Sequence, residues 1–277
     1  MKLSILIVNY NVTDLLRNCL VSLQKYIKGV DYEVIVIDNC STDSSWKNLI
    51  YEFPDFHFLT SDQNCGFAKA NNQAAKIARG EYILLLNPDT ELEDFSMKDL
   101  MDFADSTQNF GCLGVRMHDA AGNFLPESKR SVPNLFSSFR KLYLNFKNEK
   151  TKSYYRNDIG EFEVAEVEIL TGAFLLAKRA VFLEIGGLDE KYFMYGEDID
   201  FCFTLLRADY SNWYYGKTSI LHHKGQSTTK DLDYLKRFYG AMQIFIDKYY
   251  KDQKPLQHRI LSAGLQVRHT LEKQRIK

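Results

Sequence analysis

Two groups of carboxylate residues, far apart along the chain, carry the strongest chemical signal in this sequence. The first is Asn87-Pro88-Asp89, which follows the apolar run at residues 84–86. The second occupies residues 189–200, where five acidic residues stand among aromatic residues and glycines. Carboxylates are preferred ligands of hard divalent cations, and a carboxylate can also remove a hydroxyl proton as a general base. The two groups predict a metal-assisted group transfer with a carboxylate base.

The second group contains the candidate base. Glu197, Asp198 and Asp200 are close in sequence, and Phe193 and Tyr195 precede them. Like charges beside apolar side chains raise carboxylate pKa values, which suits a base that works near neutral pH. The simpler interpretation is that acidic residues stabilise the first turn of a helix through its dipole. We favour a catalytic role for one of the three acids.

The first group lies where a ligand of an α/β sheet is expected. Pro88 cannot continue a central strand, so Asp89 follows the strand end, and open α/β sheets bind ligands beyond the carboxyl ends of their strands. A divalent cation there would bridge Asp89 and a diphosphate. Because Pro-Asp turns are common, the alternative that Asp89 only caps the next segment stays open.

Other polar residues could complete such a site. Asp38 also follows an apolar strand, where it can accept hydrogen bonds from a nucleobase or a ribose hydroxyl. Adjacent side chains on a strand point to opposite faces, so only one of His222 and His223 can join Asp89 on a metal, and we choose His222. Tyr10 could stack on a nucleobase or could simply be a packed residue.

A helix that opens at Gly66 is a further candidate contact. Helix N-termini attract anions through their free N–H groups. Asn71 and Asn72 lie inside this helix, where asparagine is unfavourable. Substrate contact is one reason to keep them there, and ordinary polar exposure is the alternative.

The elements that would position these residues alternate between strands and helices. Apolar runs predict strands at residues 3–8, 32–37, 56–59 and 82–86. Apolar residues at helical spacing predict helices between them, the first after a Thr13 N-cap and the third at residues 66–78. This order predicts a mostly parallel sheet covered by helices on both faces. Further elements are predicted downstream: a strand within 169–177, helices at 179–185 and 197–207, and short strands at 212–215 and 219–222.

Two regions depart from this pattern. Residues 117–168 predict a polar excursion over the surface, partly helical at 133–146, whose Lys129, Arg130 and Arg140 could contact an anionic acceptor. Residues 251–277 contain seven Lys or Arg against two acids and predict a basic amphipathic helix. That helix could lie on an anionic membrane, or it could pack on the domain or on a second subunit in a homodimer.

Composition excludes several classes of protein. The 277-residue chain has a net charge of −1, so no global field favours nucleic acid. Five scattered cysteines without a CxxC pair argue against a disulfide framework and indicate a reducing compartment. The N-terminal apolar run predicts a strand and not a signal peptide, and no run is long enough to span a bilayer. We therefore expect a cytoplasmic protein, peripheral at most at the inner face of the cell membrane.

The absence of two nucleotide-binding motifs limits the possible cofactors. No GxGxxG follows the first strand and no Walker A lysine motif occurs, which argues against NAD and flavin. No serine or cysteine has an obvious activating partner, so a covalent enzyme nucleophile is not expected.

The ordered set of motifs resembles the family 2 glycosyltransferases, and its downstream part resembles their rhamnosyltransferase-like branch. The resemblance spans about residues 3–228 and rests on Val8-Asn9-Tyr10, Ile37-Asp38-Asn39, Asn64 with Gly66-Phe67-Ala68, Leu86-Asn87-Pro88-Asp89, Thr171-Gly172-Ala173-Phe174, Gly196-Glu197-Asp198-Ile199-Asp200 and His222-His223. It implies an α/β fold of the GT-A type at residues 1–228, with a nucleotide-sugar-binding half at 1–116 and an acceptor half at 117–228. Residues 229–277 would form a C-terminal helical extension.

The resemblance also implies a reaction. An inverting enzyme of this kind transfers rhamnose or another hexose from a dTDP-, UDP- or GDP-sugar, with Mg²⁺ or Mn²⁺, to a glycan or lipid-linked acceptor in cell-surface polysaccharide synthesis. A nucleotidyltransferase is an alternative, although its N-terminal glycine-rich loop is missing. A non-catalytic sugar-binding module is another, although Asp89, Glu197 and Asp198 are all retained.

Site roles follow from the resemblance by position. Asp198 would be the general base with Glu197 beside it, and Asp89 with His222 would hold the metal. Asn87 replaces the first carboxylate of the DxD-type motif, so this metal site has one carboxylate fewer. The implied donor-binding residues are Asn9, Tyr10, Asp38, Asn64, Gly66, Asn71, Asn87 and Asp89. The implied acceptor-binding residues are Thr171, Gly172, Tyr195 and Asp200.

Overall fold

The computed structural model describes residues 1–93, 95–132, 154–225 and 231–276. The predicted helix at 133–146 and Arg140 lie outside these residues. The first half contains β1 (Leu3–Asn9), α1 (Thr13–Tyr26), β2 (Tyr32–Asp38), α2 (Asn48–Glu52), β3 (His57–Thr60), α3 (Phe67–Ile77) and β4 (Tyr82–Leu86). These elements follow the predicted order, with boundaries that differ by a few residues at most.

The second half contains more strands than predicted. Its elements are β5 (Thr90–Leu92), α4 (Met97–Ser106), β6 (Phe110–His118), β7 (Val164–Val167), β8 (Phe174–Lys178), α5 (Arg179–Glu184), α6 (Glu197–Arg207), β9 (Ser211–His222), α7 (Leu232–Tyr250) and α8 (Pro255–Ile276). The two short strands predicted near its end are one continuous strand, β9.

The nine strands of the described residues form one sheet in the order β3-β2-β1-β4-β8-β6-β9-β5, and β7 also pairs with β9. Strands β1 to β4 pair in parallel as predicted. Strand β8 runs antiparallel to both β4 and β6, and β5 and β7 run antiparallel to β9. The parallel prediction therefore holds for the first half, while the second half is mixed.

The sheet is covered on both faces. Side chains of β1 alternate between two apolar clusters, with Leu3, Ile5 and Ile7 in one and Leu6 and Val8 in the other. Helices α1 and α4 pack on the first cluster, and α3 and α6 pack on the second. Such alternation is the arrangement that continuous apolar strands predict.

Three local details of the fold were predicted wrongly or not predicted. Thr13 is the first residue of α1 and not its N-cap, because Val12 holds the cap position without a side-chain hydrogen bond. Strand β6 escapes prediction because glycines interrupt its apolar pattern. One of them, Gly114, is needed for close packing, since a Cβ there would lie 2.8 Å from Leu170 Cδ2. Helix α4 is capped by Ser96, whose side chain accepts from the Asp99 N–H, a signal that was available in the sequence.

The C-terminal helices form a separate apolar cluster of their own. Leu235, Tyr239 and Ile246 of α7 pack against Leu261 and Leu265 of α8. None of the described helices has the length and apolar character needed to cross a membrane.

Candidate active site

The carboxyl ends of β1 and β2 form a polar edge of the sheet. We call it the donor edge, because its residues are candidates for binding the nucleotide-sugar donor. Asp38 is buried there, and its Oδ1 accepts from Asn9 Nδ2 at 2.8 Å and from Ser41 Oγ at 2.5 Å. Its Oδ2 accepts from the Ser41 backbone N–H at 3.0 Å. Asp38 therefore fixes the loop after β2 and joins it to the end of β1. Tyr10 is 44% exposed next to this edge, so it is not a packed residue.

The loop before α3 extends the same edge. Asn64 Oδ1 accepts from Asn39 Nδ2 at 3.0 Å and from the Gly66 N–H at 3.1 Å. Gly66 has φ +83°, and a Cβ there would lie 2.4 Å from the Phe193 carbonyl oxygen. The Phe67 N–H donates to that same oxygen at 2.8 Å. Only glycine fits this position, and one N–H group at the α3 N-terminus is bound by the protein itself.

Asn71 and Asn72 are both buried, so the alternative of ordinary polar exposure is wrong. Asn72 Nδ2 donates to the Leu188 carbonyl at 2.8 Å, and its Oδ1 accepts from the Leu188 N–H at 3.0 Å. Asn72 thus holds the turn at Leu188. Asn71 Nδ2 donates to the Phe67 carbonyl at 3.0 Å, within its own helix.

Asp89 and His222 lie together, as the sequence predicted. Thr90 of β5 is directly opposite His222 of β9, and His222 Nε2 is 3.4 Å from Asp89 Oδ1. His223 points elsewhere, to Glu91 at 2.7 Å. Both Asp89 and His222 are buried, and the predicted separation of the two histidines onto opposite faces is confirmed.

The residues at 171–173 join the two carboxylate groups. The Asn87 N–H donates to the Ala173 carbonyl at 3.0 Å, and the Gly172 N–H donates to Asp198 Oδ2 at 3.2 Å. Thr171 Oγ1 accepts from the Ala173 N–H at 3.4 Å. This short segment brings the end of β4 and the start of α6 into one site.

Asp198 forms an ion pair that the sequence did not indicate. Arg130 Nη2 donates to Asp198 Oδ2 at 2.7 Å and to the Leu170 carbonyl at 2.6 Å. Burial alone would lower the pKa of Arg130, but Asp198 and Tyr154 raise this pKa above its ordinary range. Arg130 was expected to face an acceptor, and instead it is buried against Asp198.

Lys129 is also buried and unavailable to an acceptor. Its Nζ donates to the carbonyls of Arg156 and Ile159 at 2.9 and 2.6 Å. Burial lowers the pKa of Lys129. Basic residues in a polar stretch suggest an anion site from sequence alone, whereas the tertiary structure uses these two inside the protein.

Glu197 differs sharply from its neighbour. It is 7% exposed, and its Oε2 has no hydrogen-bond partner within the part of the chain that the structure describes. Burial, followed by the negative charge of Asp198, raises the pKa of Glu197 to about 8. At neutral pH Glu197 therefore carries a proton while Asp198 faces Arg130. The raised pKa that we expected for the base belongs to Glu197.

Asp200 and Tyr195 point toward helix α7. Asp200 accepts from Tyr249 Oη and from Lys248 Nζ, each at 2.8 Å. The Tyr195 ring packs edge-on against Tyr234, with centroids 5.4 Å apart. These contacts bind α7 to the turn before α6 and leave Asp200 only 2% exposed. They do not bring Asp200 together with Asp89 and Asp198.

The donor set at Asp89 fits a divalent metal. A carboxylate oxygen and an imidazole nitrogen suit Mn²⁺, and Mg²⁺ commonly uses one carboxylate together with substrate phosphates and water. His222 Nδ1 is buried and has no hydrogen-bond partner among the described residues. No cluster of three or more His, Cys, Asp or Glu suited to a metal occurs in these residues, so further ligands would come from the substrate or water.

A surface pocket lies away from this site. It is lined by the 186–190 turn, Asn72, Asp200, Thr204 and Lys248, and it includes neither Asp89 nor Asp198. Lys248 is already paired with Asp189 and Asp200 there. This pocket belongs to the contact between α7 and the body of the domain.

The fold and this site define a glycosyltransferase of the GT-A type. The family described as "Glycosyl transferase family 2" matches residues 4–165, more than half of the chain, and the chain belongs to that family. It is therefore a glycosyltransferase, and the nucleotidyltransferase alternative is wrong.

Three similar curated proteins are named as sugar transferases. An N-acetylglucosaminyl-diphospho-decaprenol L-rhamnosyltransferase of Mycobacterium tuberculosis is 29% identical over 263 residues, covering 87% of this chain and 85% of that protein. The low-salt glycan biosynthesis hexosyltransferase Agl10 of Haloferax volcanii is 27% identical over 98% of this chain and 85% of its own length. The Escherichia coli rhamnosyltransferase WbbL is 25% identical over 79% of this chain and 82% of its own length.

Solved structures share the fold. Residues 1–349 of S. aureus TarS give a TM-score of 0.58 at 19% identity, over 97% of this chain and 72% of that one. GalNAc-T7 with UDP, GalNAc and Mn²⁺ gives a TM-score of 0.64 at 15% identity, over 91% of this chain and 48% of that one. GT-A glycosyltransferases typically use a divalent metal, as the Mn²⁺ in the GalNAc-T7 structure illustrates.

Proposed function

We propose that this protein is an inverting transferase that moves a sugar, rhamnose or another hexose, from a nucleoside-diphosphate sugar to a hydroxyl group. The observation that carries the proposal is the 171–173 segment, which contacts both Asn87 and Asp198. A donor diphosphate near Asp89 and an acceptor near Asp198 would therefore meet in one site. UDP and UDP-GlcNAc in two TarS structures support a nucleotide-sugar donor.

The donor edge would hold the nucleotide. Tyr10 is exposed for stacking on the base, and Asp38 with Asn64 would shape the loops around it. Asp89 and His222 would hold Mg²⁺ or Mn²⁺, and Asn87 lies two residues before Asp89 in the chain. A bound divalent cation supplies positive charge that stabilises the leaving nucleoside diphosphate.

Asp198 would remove the proton from the acceptor hydroxyl. Its carboxylate is paired with Arg130, whereas burial raises the pKa of Glu197 to about 8. The acceptor oxygen would then attack the anomeric carbon from the side opposite the diphosphate, inverting the configuration in a single displacement. Thr171, Gly172 and Tyr195 remain the proposed acceptor contacts, whereas Asp200 is occupied by α7.

The acceptor is proposed to be a glycan or a lipid-linked sugar. The Mycobacterium tuberculosis relative is named for a diphospho-decaprenol acceptor, and Agl10 is named for glycan biosynthesis. We also propose that residues 1–228 form the catalytic domain and that residues 229–277 form a helical extension. The proposed location of the protein is cytoplasmic.

A donor screen tests the proposal. Purified protein is mixed with dTDP-, UDP- and GDP-sugars, including dTDP-L-rhamnose, with N-acetylglucosaminyl-diphospho-decaprenol as acceptor. Release of nucleoside diphosphate is measured with Mn²⁺, with Mg²⁺ and with EDTA. We expect one nucleotide to dominate and EDTA to reduce its release. Absence of both binding and turnover for every donor would overturn the proposed function.

The outer face of α8 is proposed to contact an anionic membrane. Leu256, Val267 and Leu271 are 71, 49 and 54% exposed, and they lie opposite the buried Leu261 and Leu265. Helical spacing places this stripe between basic residues on both sides, Arg259 and Lys273 on one and Arg268 and Arg275 on the other. An apolar stripe flanked by positive charge is typical of helices that lie in a membrane interface.

Vesicle binding separates this surface from a dimer interface. Wild-type protein is expected to sediment with vesicles that contain anionic phospholipid and not with neutral ones. The triple variant L256E/V267E/L271E is expected to stay in the supernatant while keeping donor binding. A homodimer in solution that the triple variant dissociates, without any binding to anionic vesicles, would assign the stripe to a second subunit instead.

A further inference from the structure

Arg130 is held rigidly at the back of the candidate active site. Its backbone pairs with Ile169 through two hydrogen bonds of 2.9 Å, Arg130 N–H to Ile169 O and Ile169 N–H to Arg130 O. Its side chain is 11% exposed and reaches Asp198 and the Leu170 carbonyl, with Tyr154 Oη 3.4 Å from Nη1. Both the backbone and the guanidinium group of Arg130 are therefore held by hydrogen bonds.

The hydrogen bonds to Asp198 leave one acceptor position of its carboxylate unused. A carboxylate has about four positions at which it can accept a hydrogen bond. Oδ2 accepts from Arg130 Nη2 and from the Gly172 N–H, and Oδ1 accepts from the Ile199 N–H at 2.8 Å. Among the described residues, these three donors account for every hydrogen bond to the side chain. One acceptor position on Oδ1 stays available to a substrate hydroxyl.

Arg130 contacts Asp198 and not the adjacent Glu197. The charged or titratable side chains that act on Asp198 are Arg130, Glu197 and Tyr154. Two neighbouring carboxyl groups in a buried setting resist carrying two negative charges. Arg130 contacts Asp198, whereas Glu197 has no described hydrogen-bond partner on Oε2. The positive charge of Arg130 is therefore placed against Asp198, while burial and the charge of Asp198 raise the pKa of Glu197.

We propose that Arg130 is the positioning residue of the base. It holds Asp198 in one orientation, with the remaining Oδ1 position directed to the acceptor hydroxyl. In the transfer step, the hydroxyl proton moves to Asp198 Oδ1, the acceptor oxygen bonds to the anomeric carbon, and the bond from that carbon to the diphosphate breaks. The inference rests on the proposed function, in which Asp198 is the base.

The test compares pH profiles of kcat/KM for three variants, with the donor selected by the screen and N-acetylglucosaminyl-diphospho-decaprenol as acceptor. R130M removes the charge, and its acidic limb is expected to move up by about one to three pH units. R130K keeps a charge but cannot reproduce the planar fork, so it should keep the acidic limb while kcat falls about tenfold or more. Y154F removes only the 3.4 Å contact to Nη1, so its profile should move less than that of R130M.

Each outcome decides the inference. An R130M profile with an unmoved acidic limb, or R130K with wild-type kcat, would overturn it. If R130M does not fold, as judged by near-ultraviolet circular dichroism, R130K and Y154F carry the test alone. D198N distinguishes a failure of the base assignment from a failure of the role given to Arg130. Full transfer by D198N would refute the base assignment itself, whereas an inactive D198N beside an unaltered R130M would refute only the role of Arg130.

Discussion

The donor edge and the turn that carries Glu197 and Asp198 are built from different kinds of contact. At the donor edge, residues that follow neighbouring strands bond to each other, as Asn9 does to Asp38. At the acidic turn and the loop before it, the contacts come from distant parts of the chain: Arg130, Gly172 and Phe67 at the start of α3. The first region is assembled by repeated strand–helix units, and the second only by the complete fold.

The two regions also treat charge differently. Asp38 is surrounded by donors and is tied into its own loop. The pair Glu197 and Asp198 shares one arginine, so burial and repulsion leave Glu197 protonated. Asp38 and Asp198 each accept three hydrogen bonds, so the difference lies in Glu197, whose Oε2 has no partner among the described residues and whose pKa is raised by burial.

The largest expected effect separates the two adjacent acids. D198N should reduce kcat by about 10²- to 10⁴-fold, because a positioned general base contributes that much. E197Q should keep most of the activity at neutral pH, since an amide closely resembles the protonated carboxyl group already present. Both are measured by nucleoside diphosphate release, with donor binding as the check on folding. The reverse order of activities would make Glu197 the base.

The next effect concerns the donor side. D89N should weaken binding of the nucleoside diphosphate in Mn²⁺ by about tenfold or more, because the carboxylate proposed to hold the metal is lost. Calorimetry with and without Mn²⁺ measures the change. N87D is the matched variant, and its added carboxylate should lower the Mn²⁺ concentration needed for half-maximal activity. Equal nucleotide affinity of D89N and wild type in Mn²⁺ would remove Asp89 from the metal site.

A third prediction tests how α3 supports the turn at Leu188, which precedes the acidic pair in the chain. N72A should lower the free energy of unfolding by about 2–3 kcal/mol, since it leaves the buried Leu188 N–H and carbonyl without their partner. N71A removes a single bond within α3 and should cost only about 1 kcal/mol. Urea unfolding measures both. A smaller loss for N72A than for N71A would show that the turn does not depend on α3.

The last prediction concerns the pH dependence of stability. The pKa of Glu197 in the folded protein, about 8, exceeds its ordinary value of 4.5, so between these values the folded state binds more protons than the unfolded state. Stability contributed by protonated Glu197 is therefore present at low pH and lost as pH rises toward 8. E197Q removes this dependence, and its stability relative to wild type should increase from about pH 5 to pH 8. Parallel urea-denaturation curves at pH 5, 7 and 9 for the two proteins would contradict the raised pKa.

Much of the first half could be predicted from sequence. Strands β1, β2 and β4 are continuous apolar runs, and the parallel order follows because each is separated from the next by a helix. The second half resisted prediction for physical reasons. Strand β7 has four residues, of which only Val167 is buried, and β6 is interrupted by Gly111 and Gly114, which serve close packing with other segments. Such strands are stabilised by their partners in the sheet and not by their own pattern.

The candidate site also has a part that the sequence predicts and a part that it does not. Sequence alone determined that Asp89 follows a buried strand and that His222 and His223 face opposite ways, because strand geometry is local. Only the tertiary structure decided that Arg130 pairs with Asp198, that Asp200 is bound to α7 and that Glu197 carries the raised pKa. Burial and ion pairing depend on residues that are distant in sequence, so charge states are properties of the folded protein.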